Sequence, residues 1–406
     1  MKATVTARVS GSFDDLKVIA SETPNFASKI ESSVVARNEF GFVRAEIENL
    51  DPDTLYYVGV ESDTGLRGEF TGKMRTPKTG AHTFSFASAS CALTGSSGLV
   101  FDAIRARAEA GEISFFIHSG DLHYEDIVVN DPALFHAAYD EVFNAPRQRK
   151  LWSVLPMYYM WDDHDFGPDD SGRDSPSRQA AVAAYRSRVP SPPLVKSGAE
   201  DAPYYSFVRG RVRFIVTDVR SERAEKGEFP SNDPDQVIFT NDQRDWLFAE
   251  MLAAEGADQA IIWVNTKVWV ASVSNGADHM GGYAAARQEI ADFITDNDLN
   301  RRVAILSGDM HALAFDDGSS ANNPAGLRVM QAAALERARV NIGGPYSVGP
   351  IALPPTGIHS QYGLIDVTDS TGTGDVEVRF RGISVDRATG QETVLIDETF
   401  SLGANL

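Results

Sequence analysis

The sequence predicts an α/β fold preceded by a small all-β module. From about residue 81 onward, apolar runs typical of buried strands alternate with amphipathic stretches typical of helices, which indicates a layered α/β domain. Before that point the chain contains short β-rich segments separated by turn residues. The predicted boundaries are therefore 1–77 for an all-β sandwich module and 81–406 for the α/β domain.

The module ends on a pattern that resembles a fibronectin type III domain. The segment NLDPDTLYYVGV carries Leu50, Pro52 and Thr54 at a turn, followed by two tyrosines. In domains of that type a tyrosine at this corner bonds back to the backbone a few residues upstream, so we expect Tyr56 or Tyr57 to do so. The segment RTPKTG then supplies a linker that contains proline and glycine.

The elements of the α/β domain are predicted from their apolar periods. Buried strands are predicted in HTFSFASASC, ISFFIHSGD, LPMYYMWDDHDFG, QAIIWVNTKVWV and RRVAILSGDMH. Helices are predicted in SGLVFDAIRARAEAG, QAAVAAYRSRV, DQRDWLFAEMLAAEG and YAAARQEIADFITDN. After about residue 325 the helical period stops, and YGLIDVTD, DVEVRFRG and TVLIDETF are predicted as late strands of the same domain.

Charge and composition restrict the classes of partner. Lysine and arginine number 37 against 57 acidic residues, a net charge of −20, which disfavours duplex nucleic acid and anionic membranes. No apolar run is long enough for a membrane span, and the single cysteine, Cys91, excludes an internal disulfide. Because no signal-peptide pattern opens the chain, it is predicted to be cytoplasmic as it stands, or periplasmic or secreted if trimmed. The oligomeric state is left open.

The same phrase follows two of the predicted strands. SGDLHY (residues 119–124) and SGDMHA (residues 307–312) both place an aspartate where an apolar run ends. Ser-Gly-Asp alone indicates only a turn. Its recurrence after two buried strands favours a functional site, because open α/β sheets bind ligands at the carboxyl ends of their strands. A third apolar strand ends in the acidic run WDDHD.

Five strand ends together offer a mixed set of metal donors. They are Cys91, Asp121 with Tyr124, Asp163 with His164, Asn265, and Asp309 with His311. Thiolate and phenolate donors suit a strongly acidic ion such as iron(III), whereas oxygen-only positions suit calcium, magnesium or manganese. Two metals that share a bridging carboxylate would form a hydrolytic centre for phosphate esters.

Six segments, in this order along the chain, resemble the alkaline phosphatase D (PhoD-like) family of the calcineurin-like metallophosphatases. They are ASASC, FIHSGDLHYED, YYMWDDHDFG, FIVTDVRSER, MGGYAAARQEI and AILSGDMHA. The resemblance implies a four-layer αββα sandwich with metals at the strand ends of two facing sheets. It also implies that Asp121 bridges two metals, while Cys91, Tyr124 and His311 complete an iron(III) site. His123 is expected to point away from the metals.

The resemblance also implies roles for the remaining candidates. Asp163 and Asp309 would bind the second metal, calcium first, with manganese, magnesium or zinc as alternatives. His164 lies where metallophosphatases keep a catalytic histidine, and would protonate the leaving group after a metal-bound hydroxide attacks phosphorus. Arg220 and Asn265 are candidates for binding the substrate, although Arg220 could equally form a structural ion pair.

The implied activity is the hydrolysis of small phosphate mono- or diesters. Phosphodiesterase and alkaline phosphomonoesterase activities are not distinguished by these residues. One alternative is a phospholipase D-like phosphodiesterase acting on lipid or wall-polymer substrates, with the Gly/Pro-rich loop 341–357 as a lid. An alternative of another class is a noncatalytic, metal-stabilised binding protein, which the presence of His164 disfavours.

Overall fold

The computed structural model describes residues 1–406 except 10, 12, 14, 338–342, 352–358 and 404–406, and it gives no side-chain burial for 67–71 and 359. The described strands are β1 Ala3–Arg8, β2 Lys17–Ser21, β3 Ile30–Glu31, β4 Phe42–Ile47, β5 Leu55–Ser62, β6 Gly65–Arg75, β7 Phe84–Ala89, β8 Phe116–Ser119, β9 Met157–Met160, β10 Tyr205–Arg209, β11 Val212–Val216, β12 Ala260–Val264, β13 Val303–Ser307, β14 Leu313–Asp316, β15 Arg328–Ala332, β16 Val348–Ile351, β17 His359–Thr368, β18 Val376–Asp386 and β19 Glu392–Leu402. The described α-helices are α1 Leu99–Glu109, α2 Pro132–Asn144, α3 Pro146–Trp152, α4 Asp163–Phe166, α5 Arg178–Arg188, α6 Asn241–Gly256 and α7 Ala284–Asp296.

Strands β1 to β6 form two small sheets, which pair as β1-β4 and β3-β2-β5-β6. Alternate residues of these strands point inward and share one apolar cluster that includes Val18, Val43 and Val58. The hydroxyl of Tyr56 accepts a hydrogen bond from the backbone N–H of Asp51 at 3.0 Å, which is the contact expected of a tyrosine corner. The comparison with the fibronectin type III domain and the boundaries 1–77 and 81–406 remain predictions.

The α/β domain contains two larger sheets. Their strand orders are β10-β11-β12-β13-β15-β14-β16 and β19-β18-β17-β7-β8-β9. Strands β11, β12, β13 and β15 run parallel in the first sheet, as do β7, β8 and β9 in the second. The late strands β17 to β19 are antiparallel and extend the second sheet beyond β7.

Helices cover the outer faces of the two sheets, so the domain has four layers. The largest apolar cluster joins the sheets through residues such as Phe86, Ile117 and Phe214. Helices α6 and α7 bury apolar residues against the seven-stranded sheet, and α1 and α3 do so against the six-stranded sheet. The parallel strands β8, β12 and β13 are buried at every residue for this reason. The predicted αββα sandwich is confirmed.

Several elements were not predicted from the sequence. They include helices α2 and α3 and strands β14 to β16. The segment QAIIWVNTKVWV was predicted as one strand, but β12 ends at Val264 and the buried residues after it form a loop. Among the described residues, no helix is long and apolar enough to cross a membrane.

The proposed lid falls partly on residues that are not described. Of the loop 341–357, positions 341, 342 and 352–357 lie outside the described residues. Within the rest, Gly344 donates its N–H to the carbonyl of Val270 at 2.6 Å, and β16 pairs with β14 at the edge of the seven-stranded sheet. The lid hypothesis therefore stays a prediction.

His118, in the middle of β8, makes stability depend on pH. Its side chain is completely buried, and neither ring nitrogen has a hydrogen-bond partner among the described residues. Burial lowers its pKa from 6.5 to about 3. Below about pH 6.5 the unfolded chain therefore binds a proton that the folded chain does not bind. The free energy of unfolding is expected to fall as the pH drops through this range.

Replacing His118 with phenylalanine should flatten the acid side of the stability curve. In this pH range each buried neutral histidine changes the free energy of unfolding by at most about 1.4 kcal/mol per pH unit. His123 has a similarly lowered pKa, so part of the slope should remain. Urea unfolding between pH 7 and pH 5 measures the slope, and His82→Phe at a partly exposed site is the control. An unchanged slope in His118→Phe would contradict this account.

Candidate metal centre at the strand ends

The predicted site residues come together at the carboxyl ends of the parallel strands. Cys91 follows β7, Asp121 follows β8, Asp163 follows β9, and Asp309 follows β13. Glycines allow these loops to approach one another. A Cβ at Gly120, whose φ is +95°, would lie 2.4 Å from the Cβ of Asp162, and a Cβ at Gly308 would lie 2.4 Å from the carbonyl oxygen of Ser119. This explains why the phrase Ser-Gly-Asp follows two strands that face each other across the site.

The backbone is strained at the same positions. Cys91, Asp121, Asp309 and His311 have φ values of 62°, 54°, 67° and 51°, in the left-handed region that few residues other than glycine adopt. Such conformations cost about 1–3 kcal/mol each and persist where the surrounding structure imposes them, commonly at functional sites. The hydrogen bond from the Cys91 N–H to the Gly120 carbonyl, 3.2 Å long, ties two of these strand ends together.

Cys91, Asp121, Tyr124 and His311 form one cluster, which we call the cysteine cluster. One donor atom each from Cys91, Asp121 and His311 lies within 4.8 Å of the others. The Tyr124 hydroxyl donates to Oδ2 of Asp121 at 2.7 Å and lies 3.0 Å from Nε2 of His311. The sequence-based prediction grouped these four residues.

Asp121 is the carboxylate of the cysteine cluster, and it is buried. Asp121 forms no ion pair with any described lysine or arginine, and its buried Oδ1 accepts no hydrogen bond from the described residues. Burial and the neighbouring carboxylate of Asp163 hold its pKa well above the usual range. Burial and Asp121 likewise raise the pKa of the Cys91 thiol and of the Tyr124 hydroxyl. A bound cation would lower these three pKa values, because it favours the ionised form of each group. A thiol, phenol, imidazole and carboxylate together fit iron(III).

The position predicted for a second metal, at Asp163 and Asp309, is called the second position. Its carboxylates are already paired with lysine and arginine side chains. Oxygens of Asp162, Asp163 and Asp309 lie within 4.8 Å of one another. Lys267 places Nζ 2.8 Å from Oδ2 of Asp309, and the guanidinium of Arg220 lies 2.5 Å from Asp162 and 3.2 Å from Asp163. The oxygen-only donors suit a hard cation, but the position is partly neutralised without one.

The two aspartates of this position differ in their electrostatics. Burial opposes ionisation of Asp163, but Arg220 and Lys267 outweigh it and hold the pKa of that carboxyl below its usual range. Burial raises the pKa of Asp309 to about 7, against the opposing effect of Lys267. Asp163 is therefore the better anionic ligand in the absence of metal.

The two candidates for substrate binding have different surroundings. Arg220 is completely buried, and its guanidinium forms ion pairs with Asp162, Asp163 and Asp278. Asn265 is also buried; its Oδ1 accepts from the Lys267 N–H at 3.2 Å, and its Nδ2 has no partner among the described residues. Asn265 thus retains donors that could meet a substrate oxygen, whereas the donors of Arg220 face carboxylates.

His164 stands beside the cysteine cluster at the first turn of α4. Its Nδ1 lies 2.6 Å from Oδ1 of Asp126, its Nε2 lies 3.4 Å from Oδ1 of Asp169, and its ring packs on that of Tyr124 at 4.2 Å between centroids. Burial lowers its pKa, but the carboxylates of Asp163 and Asp126 outweigh this effect and raise it above 6.5. The carboxylates beside both ring nitrogens therefore hold the ring in place and favour its protonated form.

His123 lies away from the metal donors. Its ring is completely buried at 5.5 Å from that of Tyr139 and 6.4 Å from that of Phe135, in the apolar layer under α2. No group of potential metal ligands among the described residues includes it. This is the orientation that was expected from the sequence.

Sequence reasoning missed three residues that hold the site together. Asp165 caps α4 and accepts hydrogen bonds from the N–H of Leu122 and the hydroxyl of Tyr159, at 2.9 and 2.6 Å. Lys267 and Asp278 form the buried ion pairs around Arg220. A lysine inside the apolar run IIWVNTKVWV was the available signal, because a buried lysine requires a carboxylate partner.

Comparison with known proteins agrees with this architecture. The family model described as PhoD-like phosphatase matches residues 86–333, more than half of the chain. Alkaline phosphatase D of Bacillus subtilis (strain 168) is 25% identical over 320 residues, which cover 66% of this chain and 53% of that protein. The chain thus spans about half the length of this curated relative.

One solved structure is similar to nearly the whole chain. A structure of PhoD superposes with a TM-score of 0.73 at 16% identity and covers 99% of this chain and 91% of the other, which supports the fold. A dimetal phosphatase from Danio rerio has a TM-score of 0.45 at 13% identity, with 80% and 100% of the two chains covered. With the match over residues 86–333 and the strand-end cluster that it includes, the chain belongs to the PhoD-like phosphatase family.

Proposed function

We propose that the protein is a metal-dependent phosphoric ester hydrolase acting on small phosphate mono- or diesters. The observation that carries this proposal is the cysteine cluster, in which Cys91, Asp121, Tyr124 and His311 converge while no described lysine or arginine pairs with Asp121. Membership of the PhoD-like phosphatase family supports the same reaction. A noncatalytic binding protein would not need a histidine held at the side of the cluster.

The donor sets of the two positions suit different cations. The cysteine cluster favours iron(III), because thiolate and phenolate are anionic donors that suit a strongly acidic ion. At Asp163 and Asp309 a metal, where one binds, would be a hard dication, calcium before manganese, magnesium or zinc. Bound metal would supply Lewis acidity, which activates water near neutral pH and stabilises charge on phosphoryl oxygens.

The protein's own residues would position the substrate and move one proton. His164 donates a proton to the leaving oxygen, and Asp126 fixes its ring through Nδ1. The unpaired Nδ2 of Asn265 would donate to a phosphoryl oxygen. Arg220 is better placed to hold Asp162 and Asp163 than to bind substrate, since its guanidinium already meets carboxylates on several sides.

A panel of aryl and alkyl phosphate monoesters and diesters tests the proposed reaction. Hydrolysis of at least one class is expected, it should disappear when chelators remove the metal, and it should return when metal is restored. The ratio of monoester to diester turnover would establish the preference that the residues do not define. A metal-loaded protein without turnover on either class would contradict the proposal.

The Tyr124→Phe variant tests the metal in the cysteine cluster. A phenolate bound to iron(III) absorbs visible light, so the wild-type protein at high concentration should be coloured and Tyr124→Phe should lose the band while remaining folded. Tyr139→Phe, at a buried tyrosine outside the cluster, is the matched control and should keep the band. A visible spectrum that Tyr124→Phe leaves unchanged, or elemental analysis that finds zinc and no iron, would contradict the assignment.

A further inference from the structure

Lys267 is a completely buried cation among the carboxylates of the second position. Its side chain has no solvent exposure, and it follows β12 in the loop that begins at Asn265. The ammonium nitrogen lies 2.8 Å from Oδ2 of Asp309 and 3.5 Å from Oδ2 of Asp162, and it also forms an ion pair with Asp278. An ammonium has three N–H donors, and this one meets three carboxylates.

These carboxylates include those that a second metal would use. Four groups of described residues place potential metal ligands within 4.8 Å of one another. In three of these groups at least one carboxylate is already paired with Lys267 or Arg220, namely Asp162, Asp163, Asp278 or Asp309. The group formed by Cys91, Asp121 and His311 is the exception, because its carboxylate, Asp121, forms no ion pair with a described lysine or arginine.

We propose that Lys267 is the resident cation of the second position and that the protein therefore binds one metal ion, at the cysteine cluster. The ammonium lies between Asp162 and Asp309, where a dication would otherwise bridge them. A dication entering there would face the ammonium at short range in a buried, weakly screened setting. This proposal depends on the proposed function only in assuming that a metal binds at the cysteine cluster.

This arrangement has a consequence for the reaction. A lysine supplies a fixed positive charge near the reacting phosphoryl group whatever the concentration of free calcium, whereas a calcium ion would have to be bound from solution. Hydrolysis by the wild-type protein should therefore be the same with and without added calcium, provided that the cysteine cluster is loaded.

Counting metals in Lys267→Met tests the proposal without measuring activity. Methionine is close to lysine in length and removes the charge, which leaves Asp162, Asp278 and Asp309 with less compensation. Elemental analysis and calorimetric titration with calcium and manganese should find one metal per wild-type chain and one additional dication per Lys267→Met chain. Calcium should also raise the unfolding temperature of Lys267→Met and leave that of the wild type unchanged.

Two further variants control for charge and for proximity. Lys267→Arg keeps the positive charge and should keep the wild-type count. Lys226→Met removes a partly exposed lysine paired with Asp170, on the rim of the same acidic region, and should add no metal. A wild-type chain that binds a second dication would overturn the proposal, as would a folded Lys267→Met that gains none. If Lys267→Met does not fold, the wild-type count decides: one metal supports the proposal and two contradict it.

The metal count also separates this proposal from the proposed function. A protein that holds one metal but hydrolyses no phosphate ester would contradict the function and leave the role of Lys267 supported. A protein that hydrolyses esters with two or more bound metals would support the function and overturn the role of Lys267.

Discussion

Asp121→Asn is expected to lose the metal of the cysteine cluster and to lower phosphate ester hydrolysis by roughly 10³-fold or more, since a bound metal stabilises a phosphoryl transition state by several kcal/mol. Asparagine keeps the shape of the side chain but removes a charge that no lysine or arginine among the described residues compensates. Elemental analysis and turnover of a chromogenic ester measure the two effects. Asp174→Asn, at an exposed carboxylate, is the control and should change neither.

The same substitution should have the opposite effect on the stability of the metal-free protein. Burial and neighbouring carboxylates raise the pKa of Asp121, so ionisation of this group opposes folding at neutral pH when no metal is bound. Metal-free Asp121→Asn should therefore unfold at a higher temperature than the metal-free wild type. A variant that retains metal and turnover, or that unfolds earlier without metal, would contradict the role assigned to Asp121.

His164→Ala is expected to lower turnover by about 10²–10⁴-fold, the usual contribution of general acid catalysis. The metal content and the unfolding temperature should stay close to those of the wild type, because His164 lies beside the cysteine cluster and its hydrogen bond is made to Asp126. The loss should be smaller for nitrophenyl esters than for alkyl esters, since a good leaving group needs less protonation. Steady-state rates on a matched aryl and alkyl pair provide the test.

Asp126→Asn separates positioning from proton transfer at this histidine. The carboxylate of Asp126 raises the pKa of His164, so its removal should shift the basic limb of the pH–rate profile to lower pH while leaving His164 in place. If His164→Ala lost its metal, the residue would instead be a ligand. Full turnover of His164→Ala on alkyl esters would leave its catalytic role without support.

The convergence of the site could be predicted from the sequence because strand direction determines it. Cys91, Asp121, Asp163 and Asp309 each follow an apolar run, and the carboxyl ends of parallel strands meet at one edge of a sheet. The pattern of residues within each segment was enough to predict this convergence. It was also enough for His123, because Asp121 and Tyr124 already occupy the metal-facing side of the same loop.

The partners of Arg220 and Lys267 could not be predicted because they depend on contacts between distant segments. Asp278 lies in a loop whose local pattern gives no indication of a buried charge, yet it pairs with both cations. The sequence left open whether Arg220 binds phosphate or forms a structural ion pair, whereas the structure places its guanidinium among carboxylates from two segments. Which charges neutralise one another is a property of the assembled sheets, and no single segment encodes it.

The most direct test of the metal centre is an anomalous difference map collected at the iron edge from crystals of the protein as purified. The account predicts a strong peak within bonding distance of Cys91 Sγ, Asp121, the Tyr124 oxygen and a His311 ring nitrogen, and no metal peak between Asp162 and Asp309. A map whose strong peak lies away from these four side chains would contradict the account.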